Sequence, residues 1–467
     1  MFTGGVDRAA LAGGRVDRAG VARGRVDRAG PAGGRVDGAV KTRGHPGGPV
    51  PCGTMASGSL ALRMRAIASN RGWGWPVLSG VVAVIGVTVL ALAHEQIDLS
   101  TYLLGGAHAR SANLFTVTLP VDHLGFTYPP FSALLFAPFA HSPLRVAEVT
   151  FSWVNLACVL ALVMVSLRAV CASLDRRTIL WWSLVLLVPV LMFDPVRQTF
   201  LLGQVNIILA LMVVADMCLE LPIPRGILVG LAAAIKLTPI ILVPYLLLTK
   251  QVRAALWAMG SFCGAALVAM VVAPSNSWAY WTHYIRDPQR AGMLSWIGNQ
   301  GLLGAIERGL GHTVTTPTTF VIAISAAAVG VAVGALAYRR SSAVLGFLVV
   351  EATESLANPV SWSHHFIWVV LLVAWLALAE DRPRYGEWWA LAAAVLFWAA
   401  PSWWVPHGPG VTFAGRGWLI PVSDAYVLLF IVLVVGTGVR VCRRRAPVER
   451  PAVGRSRRAM AASAASA

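Results

Sequence analysis

The first long apolar run, PVLSGVVAVIGVTVLALA at 76–93, holds no charged residue. Eighteen residues of helix span about 27 Å, close to the thickness of a bilayer core. Lipid offers no partner to backbone N–H and C=O groups, so runs of this kind must close their own hydrogen bonds as helices or as a sealed barrel. The alternating ten-residue strands of a barrel are absent. Further runs follow at about 145–170, 178–193, 200–219, 226–249, 254–273, 317–338, 342–357, 364–380, 386–400 and 421–440. Only 13% of the chain is charged, against about 25% for a soluble domain. Mean hydropathy is +0.68. The expected fold is an all-α polytopic membrane protein with about 10–12 membrane segments.

The basic residues set its orientation. Arg63, Arg65 and Arg71 precede the first run, and Arg176 and Arg177 separate the second from the third. Arg225, Arg339 with Arg340, Arg382 with Arg384, and Arg443 to Arg445 mark later run ends. Basic residues in short loops stay in the cytoplasm. All these positions agree only if 226–249 enters and returns on one side. Lys236, Thr238 and Pro239 interrupt that stretch and make such a broken pair the preferred reading over a single straight span. The long connections at 94–143, 194–199, 274–316, 358–363 and 401–420 then collect on the outer side of the plasma membrane, with both basic tails cytoplasmic. A net charge of +17 placed in this way describes a basic rim beside anionic lipid and not a nucleic-acid surface.

The two ends differ from the middle. Residues 1–54 repeat GGRVDRAGVA, RGRVDRAGPA and GGRVDGAVKT with almost no large apolar side chains. Such a segment cannot offset its ordering entropy by burial and is expected to be disordered. Met55 offers an alternative start. The tail 441–467 has the same expectation. Six cysteines, none in the outer connections, imply no disulfide framework.

Polar residues in the outer connections are the chemical candidates. Asp98 follows the first run by five residues. It is either the cap of a helix beginning at Leu99 or a carboxylate able to take a proton at the lipid–water boundary. FTYPPF, from Phe126 to Phe131, is a stiff aromatic segment that suits an interfacial belt or a sugar site, with Tyr128 at its centre. Asp194 and Arg197 can pair across one turn. Gln204 and Asn206 are amides in an apolar run, suited to helix–helix hydrogen bonds or to a substrate pocket. The 274–316 connection brings Arg286, Asn299 and Gln300, an arginine there being able to grip a phosphate. Glu351 and Glu354 lie within a run, where ionisable groups are costly and default to function. His364 and His365 open the next run. Adjacent histidines on a helix diverge, so no metal site is read from them. No nucleotide-binding or metal-protease motif stands in context, so no nucleotide sugar, nucleic acid or cofactor is expected.

Taken in order, IDLSTYLLGG with FTYPPFSALLFAPFA, LLGQVNIILALMVVAD, AIKLTPIILVPYLLL, GNQGLLGAIER and NPVSWSHHFIW resemble glycosyltransferase family 87 over roughly residues 75–440. The resemblance implies a GT-C transmembrane catalytic domain at 55–440. It implies polyprenyl-phosphate-mannose as donor and a glycolipid acceptor, a phosphatidylinositol mannoside or a lipomannan or lipoarabinomannan chain. It implies inverting transfer to an α-(1→2) mannoside in an actinobacterial membrane, with Asp98 as general base. From position alone, His364 or His365, then Lys236 and Arg286, are the groups expected to meet the donor phosphate. Tyr128, Gln204, Asn206, Asn299 and Gln300 are expected to line the pocket. A related transferase for another lipid-linked sugar such as arabinofuranose, and a lipid or solute transporter using the broken pair, are the competing readings.

Overall fold

The computed structural model of the chain describes residues 55–121, 123–287, 290, 292–408 and 419–443. The expected disordered repeat at 1–54 and the tail beyond Arg443 lie outside the described residues. Helix α1 (Met55–Asn70) leads into α2 (Gly74–Ala93), then the short α3 (Ile97–Ala107) and α4 (Pro130–Phe136). Next come α5 (Leu144–Val170), α6 (Arg176–Leu191), α7 (Asp194–Leu202) and α8 (Asn206–Cys218). Helix α9 (Ile227–Ile235) meets α10 (Leu242–Leu248) through a 3-10 turn, Thr238–Ile241, and α11 (Val252–Val272) follows. After α12 (Pro274–Thr282) and α13 (Leu302–Leu310) come α14 (Thr316–Arg340) and α15 (Ala343–Ala357). A 3-10 stretch, Ser363–Trp368, enters α16 (Val369–Leu378), followed by α17 (Gly386–Ala399), α18 (Leu419–Ser423) and α19 (Ala425–Arg443).

Among the described residues, five helices are long and apolar enough to cross a bilayer: α2, α5, α11, α14 and α19. Helices α6 and α7 make a sixth crossing if their pair, bent by 74°, is taken as one. The protein is an integral membrane protein built of helices. The expected segments are helical over most of their length, but several are too short to cross alone. Helix α8 has 13 residues, α16 has 10 and α9 only 9, the last reaching about 14 Å.

The breaks have local causes. Pro195 has no N–H to give and its ring would collide with the carbonyl one turn back, so α6 cannot run on and α7 restarts at Asp194. This corrects two expectations. The 194–199 connection is helical, and the expected 200–219 segment is split, with 200–202 ending α7 and α8 beginning only at Asn206. The 226–249 pair does turn back. Arg225, just before α9, donates to Gln251 just after α10 at 3.3 Å, so both ends of the hairpin meet and Lys236 stands at its far turn.

Side chains staple the long connections to one another. Asn276 donates to the carbonyls of Ala109 and Ser111 at 3.0 and 2.9 Å. Arg290 donates to the Phe115 carbonyl at 2.7 Å. Asn299 donates to Pro359 O and accepts from the Ser361 N–H, at 3.0 and 2.8 Å. The Trp403 indole donates to Asp194 at 3.1 Å. The expected grouping of these connections on one side is thereby built into the packing.

Gly203 closes α7 in the left-handed region, at φ 73° and ψ 45°. A Cβ there would come within 2.7 Å of Leu99 Cβ and 2.8 Å of Gln96 Cβ and Oε1. Gly203→Ala is therefore expected to destabilise the protein by about 1–3 kcal/mol through backbone strain, with the collision added. A thermal melt of the detergent-purified variant checks this, and an unchanged Tm would count against the tight α3–α7 junction.

Candidate active site

Helix α3 is too short to cross a membrane, and its placement starts with α5. Glu148 on α5 is fully buried and accepts from the Gln96 backbone N–H at 2.9 Å. The Gln96 amide donates to Ser152 at 2.7 Å. Arg145, one turn before Glu148, donates to the carbonyls of Ala91 and His94 and satisfies the end of α2. The joint between α2 and α3 is thus held on both sides, and Asp98 sits in the first turn of α3.

The cap reading of Asp98 does not hold. The helix begins at Ile97 with Gln96 as its cap residue, and no side chain caps it. The carboxylate of Asp98 accepts instead from Gln204 Nε2 at 2.6 Å, a short charge-assisted bond. Gln204 Oε1 accepts in turn from Tyr102 OH at 2.7 Å and Tyr128 OH at 3.3 Å. Tyr102 stands one turn after Asp98 on the same helix face, the spacing by which sequence could have found it. Burial pushes both phenols above their ordinary range, so they remain donors. Glu95 is exposed.

Beside this group stands a cation. Lys236 Nζ donates to Asn206 Oδ1 at 2.9 Å and lies 2.8 Å from His365 Nε2. It also lies 5.6 Å from the centre of the Tyr128 ring. Asn206 Nδ2 donates to the His364 carbonyl at 3.0 Å. Glu354 on α15, which sequence singled out without a role, accepts from Ser355 Oγ at 3.4 Å and interacts electrostatically with Lys236. Neither carboxylate oxygen of Glu351 has a hydrogen-bond partner among the described residues.

A cavity of about 690 Å³ opens between these groups. Asp98, Tyr102, Tyr128, Gln204, Lys236, His364 and His365 all line it. Although adjacent, both histidines reach the cavity from the 3-10 stretch Ser363–Trp368, their ring centres 5.0 Å apart. His364 Nε2 has no hydrogen-bond partner among the described residues. Among the described residues no three histidine, cysteine, aspartate or glutamate side chains gather as a metal site.

Four expected site residues do not line the cavity, Asn206 meeting it only through Lys236. Arg286 is exposed and does not line the cavity, whereas Arg290, four residues on, does. Arg290 is held over the Phe115 and Tyr284 rings at 5.5 and 4.3 Å. Asn299 and Gln300 are fully buried and spend their amides on backbone groups: Asn299 on Leu294 and Pro359, Gln300 on Ile297 and Ser423. They brace the cavity wall from behind.

Burial raises the Asp98 carboxyl to about 6, while the Gln204 bond and the charge of Lys236 pull it back down. Infrared titration of the Asp98 carboxyl band is expected to give a midpoint near 6 in the wild type. Gln204→Leu removes a donor that favours the charged form, so its midpoint is expected to be higher. An ordinary carboxylate midpoint in the wild type would refute the burial argument.

The model for glycosyltransferase family 87 matches residues 126–361. A relative from Mycobacterium tuberculosis, named a polyprenol-phosphate-mannose-dependent α-(1-2)-phosphatidylinositol mannoside mannosyltransferase, is 30% identical over 342 residues, covering 70% of this chain and 79% of its own. Its counterpart from Mycolicibacterium smegmatis is 31% identical over 364 residues, with the same coverage. A third, from Mycobacterium tuberculosis and named for a phosphatidylinositol pentamannoside, is 29% identical over 360 residues, covering 71% of this chain and 82% of its own. No solved structure matches the chain.

Proposed function

This chain belongs to glycosyltransferase family 87, and on that footing we propose that it moves mannose from polyprenyl-phosphate-mannose to a phosphatidylinositol mannoside or a lipomannan or lipoarabinomannan chain, as an α-(1→2) linkage, at the outer face of the plasma membrane. The names of its relatives supply donor, acceptor class and linkage. The single observation that carries the chemistry is one cavity holding a carboxylate with a raised pKa and a partly buried cation together.

Asp98 takes the proton of the acceptor hydroxyl as that oxygen attacks the anomeric carbon of the donor mannose. The bond from that carbon to the phosphate oxygen breaks on the opposite face, so β becomes α. The lipid phosphate leaves as a monoester with one more negative charge. Lys236, with His365 beside it, stabilises that charge as it develops, and the open Nε2 of His364 is a further hydrogen-bond partner. Gln204 holds the Asp98 carboxylate in place, and Tyr102 and Tyr128 fix which way the Gln204 amide points. Both substrates are lipids, so base and cation at the membrane boundary meet the reacting groups where they lie. The loop charges support the cytoplasmic placement of the basic tails and the outer placement of the cavity in this reading.

Radiolabelled polyprenyl-phosphate-mannose with membranes carrying the protein and phosphatidylinositol mannoside acceptors tests this. Asp98→Asn is expected to lower transfer by about 10²–10⁴-fold, and equal transfer would remove Asp98 as base. Lys236→Met is expected to lower the maximal rate by about 10²–10³-fold. Only the ionised carboxylate takes a proton, so the wild-type rate should fall as pH drops through about 6. A chelator is expected to leave transfer unchanged.

A further inference from the structure

Three tryptophans line the cavity from three separate segments: Trp296, Trp362 and Trp403. Trp296 stands between the others, its ring centre 5.5 Å from Trp362 and 5.7 Å from Trp403, both edge-on. All three are only half-buried, so ring surface remains for an occupant.

Each ring is anchored separately. The Trp403 indole N–H is spent on Asp194, a fully buried carboxylate that also accepts from Tyr426 at 3.1 Å. The carbonyl of Trp296 accepts from Arg308, which is itself buried and paired with Asp424. The Trp296 ring lies over Gly298, where a Cβ would come within 2.3 Å of it. Trp362 is bridged to Asn299, and its neighbour Ser361 donates its N–H to the Asn299 side chain. Rings that only filled space would need none of these polar supports. A fixed row of apolar faces set in a cavity is suited to rigid amphipathic ligands such as pyranoses, whose C–H faces stack on rings while their hydroxyls seek polar partners.

We propose that these tryptophans form a subsite for the acceptor's mannosyl chain, stacking the sugars behind the one that reacts. The proposal rests on the mannosyltransferase reading above. The donor carries one sugar, and three rings in series extend past a single pyranose, so the row fits a chain of them. A polyprenyl tail is the other apolar occupant. It would desolvate Gln198 and Asn358, which line the same cavity, without returning a hydrogen bond, whereas sugar hydroxyls pair with them.

The test is binding without donor, so no transfer is needed. The detergent-purified full chain is titrated calorimetrically with octyl α-mannoside, octyl α-mannotrioside and polyprenyl phosphate. The trioside is expected to bind wild type about three- to tenfold tighter than the monomannoside. Trp296→Leu and Trp362→Leu are expected to lose that preference and keep polyprenyl phosphate affinity, while Trp296→Tyr, which retains a ring, keeps most of it. Wild-type protein that binds both mannosides equally, or variants that lose polyprenyl phosphate affinity instead, would overturn the subsite. Trioside preference in a wild type that transfers no mannose would overturn the proposed function and leave the subsite standing.

Discussion

A lysine ammonium held inside a membrane protein organises the centre of this molecule. Lys236 lies at the turn between α9 and α10, Asn206 opens α8, and His365 lies in the 3-10 stretch before α16. Three helix breaks therefore converge on one positive charge. An unpaired charge at this depth is costly, and so are the backbone groups a broken helix leaves open. Each cost is met by the other: Asn206 serves Lys236 with its oxygen and the His364 carbonyl with its nitrogen. The irregular backbone survives here because it lines a cavity and not lipid.

Asp98 reaches the same cavity by a different route. Its position depends on the α2–α3 joint, which Arg145 and Glu148 hold from α5, and on Gly203, which lets α7 approach Leu99 and Gln96. Gln204, directly after that glycine, then meets the carboxylate. One turn in the chain thus sets both the closeness of the helices and the hydrogen bond to the base. The raised pKa follows from the same packing, since burial outweighs the help of Gln204 and Lys236.

Much of the site is legible in the sequence because polar side chains in apolar runs are conspicuous. Gln204, Asn206 and Lys236 stand out for that reason, Asp98 by its place just past the first run and His364 and His365 by opening another, and the cavity or its hydrogen bonds take up all six. The outer connections mislead because polar residues are ordinary there. Arg286 and Arg290 have equal claims by composition, and only the rings of Phe115 and Tyr284 select Arg290. Asn299 and Gln300 read as pocket amides, yet irregular backbone nearby needs their hydrogen bonds more. Glu148, a carboxylate near the start of the 145–170 run, carries the same signal as the polar residues in apolar runs, and Tyr102 only its one-turn spacing from Asp98; neither names its partner, which lies tens of residues away.

The sequence by itself determined the class of protein, the order of its segments and the grouping of its long connections, because hydropathy and basic residues act locally and add along the chain. It also marked Lys236 as the point where one segment turns back. Only the tertiary structure decided that Asp98 accepts from Gln204 and does not cap its helix. The same holds for the row of three tryptophans drawn from segments up to about a hundred residues apart. Those outcomes depend on which polar group finds which partner once water is excluded, and that choice is made across the fold and not along the chain.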